Sequence, residues 1–592
     1  MNNLSSHTFH IPVLGLCFSI DTPLKVARYG ISSVVSIIED ELIEHMRSYH
    51  CQQNHITFIP ISGREPDSRA KRITSYLNMM QQIVSTQVQG LKQMAFTEGS
   101  DLSKYFEMLP LQSPQRKLYE AMLSEKDPEK QEQLQQQLRE GVVAGAIDVN
   151  IMAKVDNAHY DSKGERLPDE YSDALSALRG FAQSDLSSSV VFSAGYNPRL
   201  YSYAEQFEDF FPDEKGVVAK KITLKVSDYR SALVQGKILA KKGLWISEFR
   251  IESGLNCGGH AFATEGLLMG PILEEFRQNK KALQQELFEL CDQSLEAKGK
   301  KVFGTIPSQK ITAQGGIGTA EEHEFLLSYF ELDGAGWGSP FLLVPEATNV
   351  DDNTLQQLST ASKEDFYLSD ASPLGVPFNN FRKSTSEAQR KARIEKKRAG
   401  SPCYKKYLSS NTEFTEIPIC TASRQYMELK ERQLKAQNLS EEELTNQLYK
   451  IAEKDCLCEG LTASVRLKNE MYLPHKMSAV AICPGPNLAY FSGIFSLKDM
   501  ADHIYGRKTI NNSLERPNMF INELQLYIDY LKRQIAESST AITEKQRKYF
   551  GKFKANLQSG IEYYRALIPS FTNIDYNALQ LSSLELQLSH LF

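Results

Sequence analysis

The chain has 592 residues, 41% hydrophobic and 24% charged, the make-up of an ordinary globular protein and enough length for two to four domains. A formal charge of −6 gives no general attraction to nucleic acid or to an anionic membrane surface, and no apolar run reaches the ~20 residues that span a bilayer. Nine cysteines is an odd count at ordinary density, which argues against a disulfide scaffold.

The opening stretch "MNNLSSHTFHIPVLGLCFSID" has an apolar centre, no Lys or Arg ahead of it and no small-residue cleavage pattern. It therefore reads as a first strand rather than a signal peptide, and the expected location is cytoplasmic. Eight apolar, β-branched segments bounded by turns follow in order: 10–16, 32–38, 146–152, 188–194, 221–227, 244–252, 310–315 and 334–337. Several are near-continuous apolar runs, as expected of parallel strands covered on both faces. Most are separated by helical periodicity, as in "SDYRSALVQGKILAKKG". Strand then helix, repeated eight times, predicts an α/β fold of the (β/α)8, or TIM-barrel, type.

The rhythm breaks at residues 39–140, long, polar and helical in pattern, which read as a helical insertion after the second strand. The barrel then comprises 1–38 (strands 1–2) and 141–382 (strands 3–8). The basic run "SEAQRKARIEKKRAGSP" (386–402) reads as a linker, its charges on a solvated helix face or against an anionic substrate tail. It opens a cysteine-containing segment, 383–515, and helical spacing of apolar residues predicts a helical tail over 516–592. The C-terminal extension as a whole is expected to be mostly helical.

Two loops carry the chemistry of a phosphate site. In "ITAQGGIGTAEEHEFLL" (311–327) a strand runs into Gly315-Gly316-Ile317-Gly318 and then a helix whose Thr319 and Glu322 have capping-box spacing. Bare amides at a helix N-terminus suit a phosphate. A second small-residue turn, "GWGSPF" (336–341), follows the eighth strand. Barrels of this kind often bind phosphate at the ends of strands 7 and 8, whereas glycines that only make tight turns are the plainer alternative. Between them in importance is "ESGLNCGGHAF" (252–262), where His260 stands among glycines beside Cys257. A planar ligand needs backbone at van der Waals distance, and proton transfer needs a group that titrates near neutrality. A satisfied turn histidine is the rival reading, and Cys257 is best read as packing.

Taken together, "IESGLNCGGHAF", "ITAQGGIGTAEEH" and "GWGSPFLLVPEAT" resemble the FMN-dependent nitronate monooxygenase and enoyl-ACP reductase II (2-nitropropane dioxygenase-like) group. The likeness extends to the first βα unit, to "DVNIM" and to "EDFYLSDASPLGVPFNNFR", and covers about half the chain. It implies a (β/α)8 fold, FMN as cofactor, and His260 beside the flavin handling the substrate proton. It further implies FMN contacts at Leu16, Cys17, Asn150, Ser253, Gly258 and Gly259, and a phosphate held by Gly315, Gly316, Gly338 and Ser339. Asn256 departs from the family's Glu, Ser253 from a common Gln, Ser339 from Thr, and Leu16-Cys17-Phe18 from Ala-Pro-Met. The implied reaction is reduction or oxidation of a carbon centre activated by a carbonyl, thioester or nitro group. Its substrate is a small molecule or an acyl thioester, and its electron donor is NAD(P)H or a ferredoxin-like protein. Nitronate oxidation is one family precedent. The rival class is a non-catalytic flavin or iron–sulfur electron-transfer or assembly subunit.

The extension lies outside this resemblance. Its five thiols, Cys403, Cys420, Cys456, Cys458 and Cys483, have irregular spacing, and a proline follows the last, as in cluster-binding loops. An iron–sulfur cluster on Cys420, Cys456, Cys458 and Cys483, with Cys403 as alternative ligand, structural zinc, and uncommitted buried cysteines all fit this pattern. The turn-rich "CPGPNLAYFSG" suits a segment that closes over the barrel mouth.

Overall fold

A computed structural model describes residues 7–153, 156–161, 163–193, 195–257, 265–538 and 542–591. Eight parallel strands close into a barrel: β1 Phe9–Ile11, β2 Ser32–Ser36, β3 Ile147–Ile151, β4 Ser189–Phe192, β5 Lys221–Val226, β6 Ile246–Glu252, β7 Lys310–Gln314 and β8 Gly334–Gly336. Each strand pairs with its neighbours in sequence, and β1 closes the ring on β8. All eight fall where the apolar segments predict them, because runs such as Val34-Val35 and Val190-Val191 are buried on both faces. The first strand is shorter than its apolar segment: Pro12 has no N–H to offer a ladder.

Residues 39–140 form the helices Asp40–Gln53, Ser68–Gln93, Asp101–Met108, Pro114–Ser124 and Pro128–Gly141. Ser100, Ser113 and Asp127 cap the last three through their side chains. The second is part of the barrel wall. Arg69 donates to Ile38 O at 2.8 Å, the Tyr76 hydroxyl donates to Ile20 O at 3.0 Å, and a Cβ on Gly180 would meet Ile73 at 2.8 Å.

Beyond β8 the chain makes a hairpin, Phe366–Ser369 with Phe378–Phe381, and then a largely helical extension. The basic run begins as the helix Thr385–Glu395, whose Ser386, Glu387 and Arg390 are buried against the body. Arg390 donates to Glu387 and to Ala452 O, and Ser386 N–H donates to Val480 O. The last helices, Met519–Glu537, Glu544–Leu567 and Ile574–Ser589, pack on one another and on the barrel helix Met269–Ala297. Among the described residues no helix is long and apolar enough to cross a membrane.

Candidate active site

Strand alternation turns every second residue of β6, Glu248, Arg250 and Glu252, into the barrel, although the strand is otherwise apolar. The register places these beside inward-facing partners on other strands: Glu252 opposite Gln314, and Asn150 opposite Ser36. Two polar layers result. In the deeper one the charged groups are paired with one another. Arg250 donates to both oxygens of Glu248 at 2.8 and 3.0 Å and reaches Asp148 at 3.5 Å, while the Thr312 hydroxyl donates to Glu248 at 2.5 Å. Burial alone would raise the Glu248 carboxyl, but the Arg250 charge and its hydrogen bonds overcome that and hold it at about 2. Burial, reinforced by Arg250, drives His10 down to about 3, so its ring is neutral.

The upper layer, at the C-terminal ends of the strands, is paired on one side only. Glu252 Oε1 accepts from Lys225, Asn256 and Gln314 at 2.7, 2.8 and 2.6 Å. Glu252 Oε2, Asn150 Oδ1, Gln314 Oε1 and Ser36 Oγ are buried without a hydrogen-bond partner among the described residues. A buried acceptor left open costs roughly 1–3 kcal/mol, so four at one barrel end mark a place built for something else.

The β7 loop adjoins this layer. Gly315 and Gly316 have φ of 112° and 81°, a region that favours glycine, and a Cβ on Gly316 would lie 2.6 Å from Leu255. The amides of Gly315, Gly316 and Ile317 donate to no partner among the described residues. Thr319 caps the helix Ala320–Ser328 as its spacing predicts. Glu322, however, accepts from Gly318 N–H at 2.9 Å, so that amide is already occupied. At the β8 turn Ser339 is buried and Gly338 lies against Cys257.

The extension covers this end of the barrel, in keeping with the turn residues of "CPGPNLAYFSG". The Cys257 thiol donates to Cys483 O at 3.0 Å, and a Cβ on Gly485 would stand 2.7 Å from Ser339 Oγ. Asn487 donates to Ile317 O at 2.8 Å. Arg516 donates to Gly316 O and to Glu322, both at 2.6 Å. On the β1 side Cys17 N–H donates to Leu461 O at 3.2 Å, and burial lifts the Cys17 thiol to about 12. Leu16 is half-buried beside it. Cys17 thus meets the helix Leu457–Lys468.

The β6 loop is held from the far end of the chain. Gly254 N–H donates to Tyr527 at 3.1 Å, and Met269 N–H donates to Glu523 at 2.8 Å. Glu523 also lies beside Ser253, so both ends of the loop approach one carboxyl. Burial raises Glu523 to about 7 against those hydrogen bonds. His260, Gly258 and Gly259 lie outside the described residues. Of the other FMN contacts implied by resemblance, Asn150, Ser253, Gly315, Gly316, Gly338 and Ser339 gather at the C-terminal barrel end. Glu252, Lys225, Gln314, Arg516 and Glu523 went unnoticed in sequence. The alternating charges of β6 could have shown Glu252. Arg516 and Glu523 have no local signal.

The thiols arrange otherwise than expected. Cys403 lies near Cys420, Cys456 and Cys458, and the Cys483 carbonyl accepts from the Cys257 thiol at 3.0 Å. Among the described residues, which include all five, no group of three or more His, Cys, Asp or Glu side chains has the arrangement of a metal site. The Cys-Pro-Gly-Pro turn carries Cys483 onto the barrel mouth instead.

No protein-family model matches the chain, and no curated protein matches it. Among solved structures it is similar to the crystal structure of the enoyl reductase domain of MlnA, from the macrolactin biosynthesis cluster of Bacillus amyloliquefaciens. The identity is 14%, with 76% of this chain and 88% of that chain covered, at a TM-score of 0.30. The closed ring of eight parallel strands itself defines a (β/α)8 barrel.

Proposed function

We propose that the chain is an FMN-dependent oxidoreductase acting on a carbon centre activated by a carbonyl, thioester or nitro group. The observation that carries this reading is the pairing of open buried acceptors with unbonded glycine amides at one barrel end. A flat, polar-edged ring with a phosphate tail asks for both. Asn150, Ser253 and the β6 loop backbone would hold the ring, and the amides of Gly315 and Gly316 with Gly338 and Ser339 the phosphate. When bound, FMN supplies hydride or electron transfer.

The chain's own residues do the rest. His260, assigned by resemblance, gives or takes the proton at the substrate carbon. Glu252, with Lys225 as its counter-ion, fixes the orientation of Asn256 and Gln314 around the opening. The turn at 483–487 excludes water from the phosphate end. Enoyl-thioester reduction and nitronate oxidation are the two reactions to assay, with NAD(P)H or a reduced ferredoxin-like protein as donor for the first.

The test is the absorption spectrum of protein purified without air, alone and with added FMN. Flavin bands at one per chain are expected. His260→Ala should keep the bands while losing turnover by about 10²–10⁴-fold. A colourless chain that refuses FMN overturns the reading.

A further inference from the structure

The helical tail grips the β6 loop at both ends. On the helix Met519–Glu537, Glu523 and Tyr527 stand four residues apart and so share a face. The Tyr527 hydroxyl accepts from Gly254 N–H at 3.1 Å, where the chain leaves β6. Glu523 Oε2 accepts from Met269 N–H at 2.8 Å, where the chain enters the helix Met269–Ala297. These two amides are 15 positions apart in sequence. Tyr564, on the helix Glu544–Leu567, completes the set: its hydroxyl accepts from Gly270 N–H at 3.2 Å and donates to Glu523 at 3.4 Å. All three side chains are buried.

The sequence is fitted to this approach. A Cβ on Gly254 would lie 2.7 Å from the Tyr527 ring, one on Gly270 2.4 Å from the Tyr564 ring, and one on Gly560 2.3 Å from Leu268. Each is nearer than carbon atoms pack, so glycine is the residue that fits these seats.

What the tail holds is a wall of the candidate site. The turn 253–257 lies against the β7 loop: a Cβ on Gly315 would stand 3.0 Å from Asn256 N and 3.1 Å from Ser253 Cβ, and one on Gly316 2.6 Å from Leu255. Asn256 in turn donates to Glu252 at 2.8 Å. A shift of the turn at Gly254 therefore reaches the β7 glycines and the Asn256–Glu252 pair together.

We propose that Tyr527 and Glu523 are positioning residues for the cofactor site, with Tyr564 bracing Glu523, and that they set the span of the β6 loop so that the turn 253–257 stands ready for FMN. The proposal rests on the flavin reading above. Each of the three acts through a backbone amide of the loop or of the helix that follows it. The coupling is reciprocal, because a tail that favours the FMN-bound arrangement is itself favoured by FMN. Binding at the barrel end is thus felt in helices from the far end of the chain.

The test removes single hydroxyls from the full chain. Tyr527→Phe deletes the bond to Gly254 and keeps the ring against Phe553. Tyr563→Phe is its control, since that hydroxyl joins the same tail to Glu274 of the barrel helix rather than to the loop. FMN affinity is read by fluorescence titration, and backbone amide exchange by mass spectrometry with and without FMN. Tyr527→Phe should weaken FMN by about tenfold, the worth of one hydrogen bond, while Tyr563→Phe stays within about twofold of the unaltered chain. Glu523→Gln, which keeps an oxygen for Met269 N–H, should stay within about threefold. In the unaltered chain FMN should slow exchange across 519–530 and 560–567 by about fivefold. Without FMN, the segment 252–257 should exchange faster in Tyr527→Phe and not in Tyr563→Phe. Equal FMN affinities for the two Phe variants, or tail exchange that ignores FMN, overturns the proposal. A chain that refuses FMN fails the flavin reading instead. The flavin-free exchange of 252–257 then decides: faster exchange in Tyr527→Phe supports a span set by the tail, and unchanged exchange overturns it.

Discussion

The two polar layers inside the barrel use the same residue types and differ in one respect. Around Arg250 the strong donors meet acceptors: Glu248, Asp148 and Thr312 form a closed set. One layer higher, Glu252, Asn150 and Ser36 each keep an open atom. Buried polarity that is fully paired holds a fold together, and buried polarity that is half paired holds a place for a ligand.

The largest expected effect falls on the closed layer. Arg250→Met strands two buried carboxylates and should cost about 3–5 kcal/mol in urea unfolding. A cost under ~1 kcal/mol would break the comparison. Next comes the buried acid Glu523. Its folded pKa, about 7, lies above its ordinary 4.5. Between those values the folded state binds more protons, so stability is greatest below pH 4.5 and falls as pH rises through 7. The fall should total ~3 kcal/mol, and Glu523→Gln should remove it from the pH–stability curve. Gly485→Ala adds a Cβ 2.7 Å from Ser339 Oγ at φ 70° and should cost about 1–3 kcal/mol in the same unfolding assay. The smallest stability effect should be at the open layer. Asn150→Ala should move unfolding by less than ~1 kcal/mol while weakening FMN about tenfold in a fluorescence titration. A large loss of stability there would place Asn150 with the closed set.

The barrel was legible because its signals are local. β-branched runs such as Val34-Val35 declare their own strands, and Thr319 with Glu322 declares a helix start directly after a glycine turn. Asn150 and the β7 glycines were reachable by matching short motifs. The cover was only partly legible: the turn residues of 483–487 suggested a closing loop, but nothing near Arg516 or Glu523 says that they meet Gly316 and Met269. Those contacts join residues 200 and 254 positions apart. The contact of Cys483 with Cys257 was hidden for the same reason. Spacing along the chain grouped Cys483 with the others, and folding carried it to Cys257.

The grip of Arg516 on Gly316 and Glu322 also sets an order of events during synthesis. Translation at ~5–20 residues per second separates the emergence of Gly318 from that of Arg516 by about 10–40 s. For most of that interval a barrel whose eight strands are all synthesised stands at the ribosome with the C-terminal ends of its strands unroofed, its glycine loop lacking the guanidinium that will later brace it. A chain stalled before residue 516 would therefore expose that loop while keeping every strand, a state suited to capture by a chaperone.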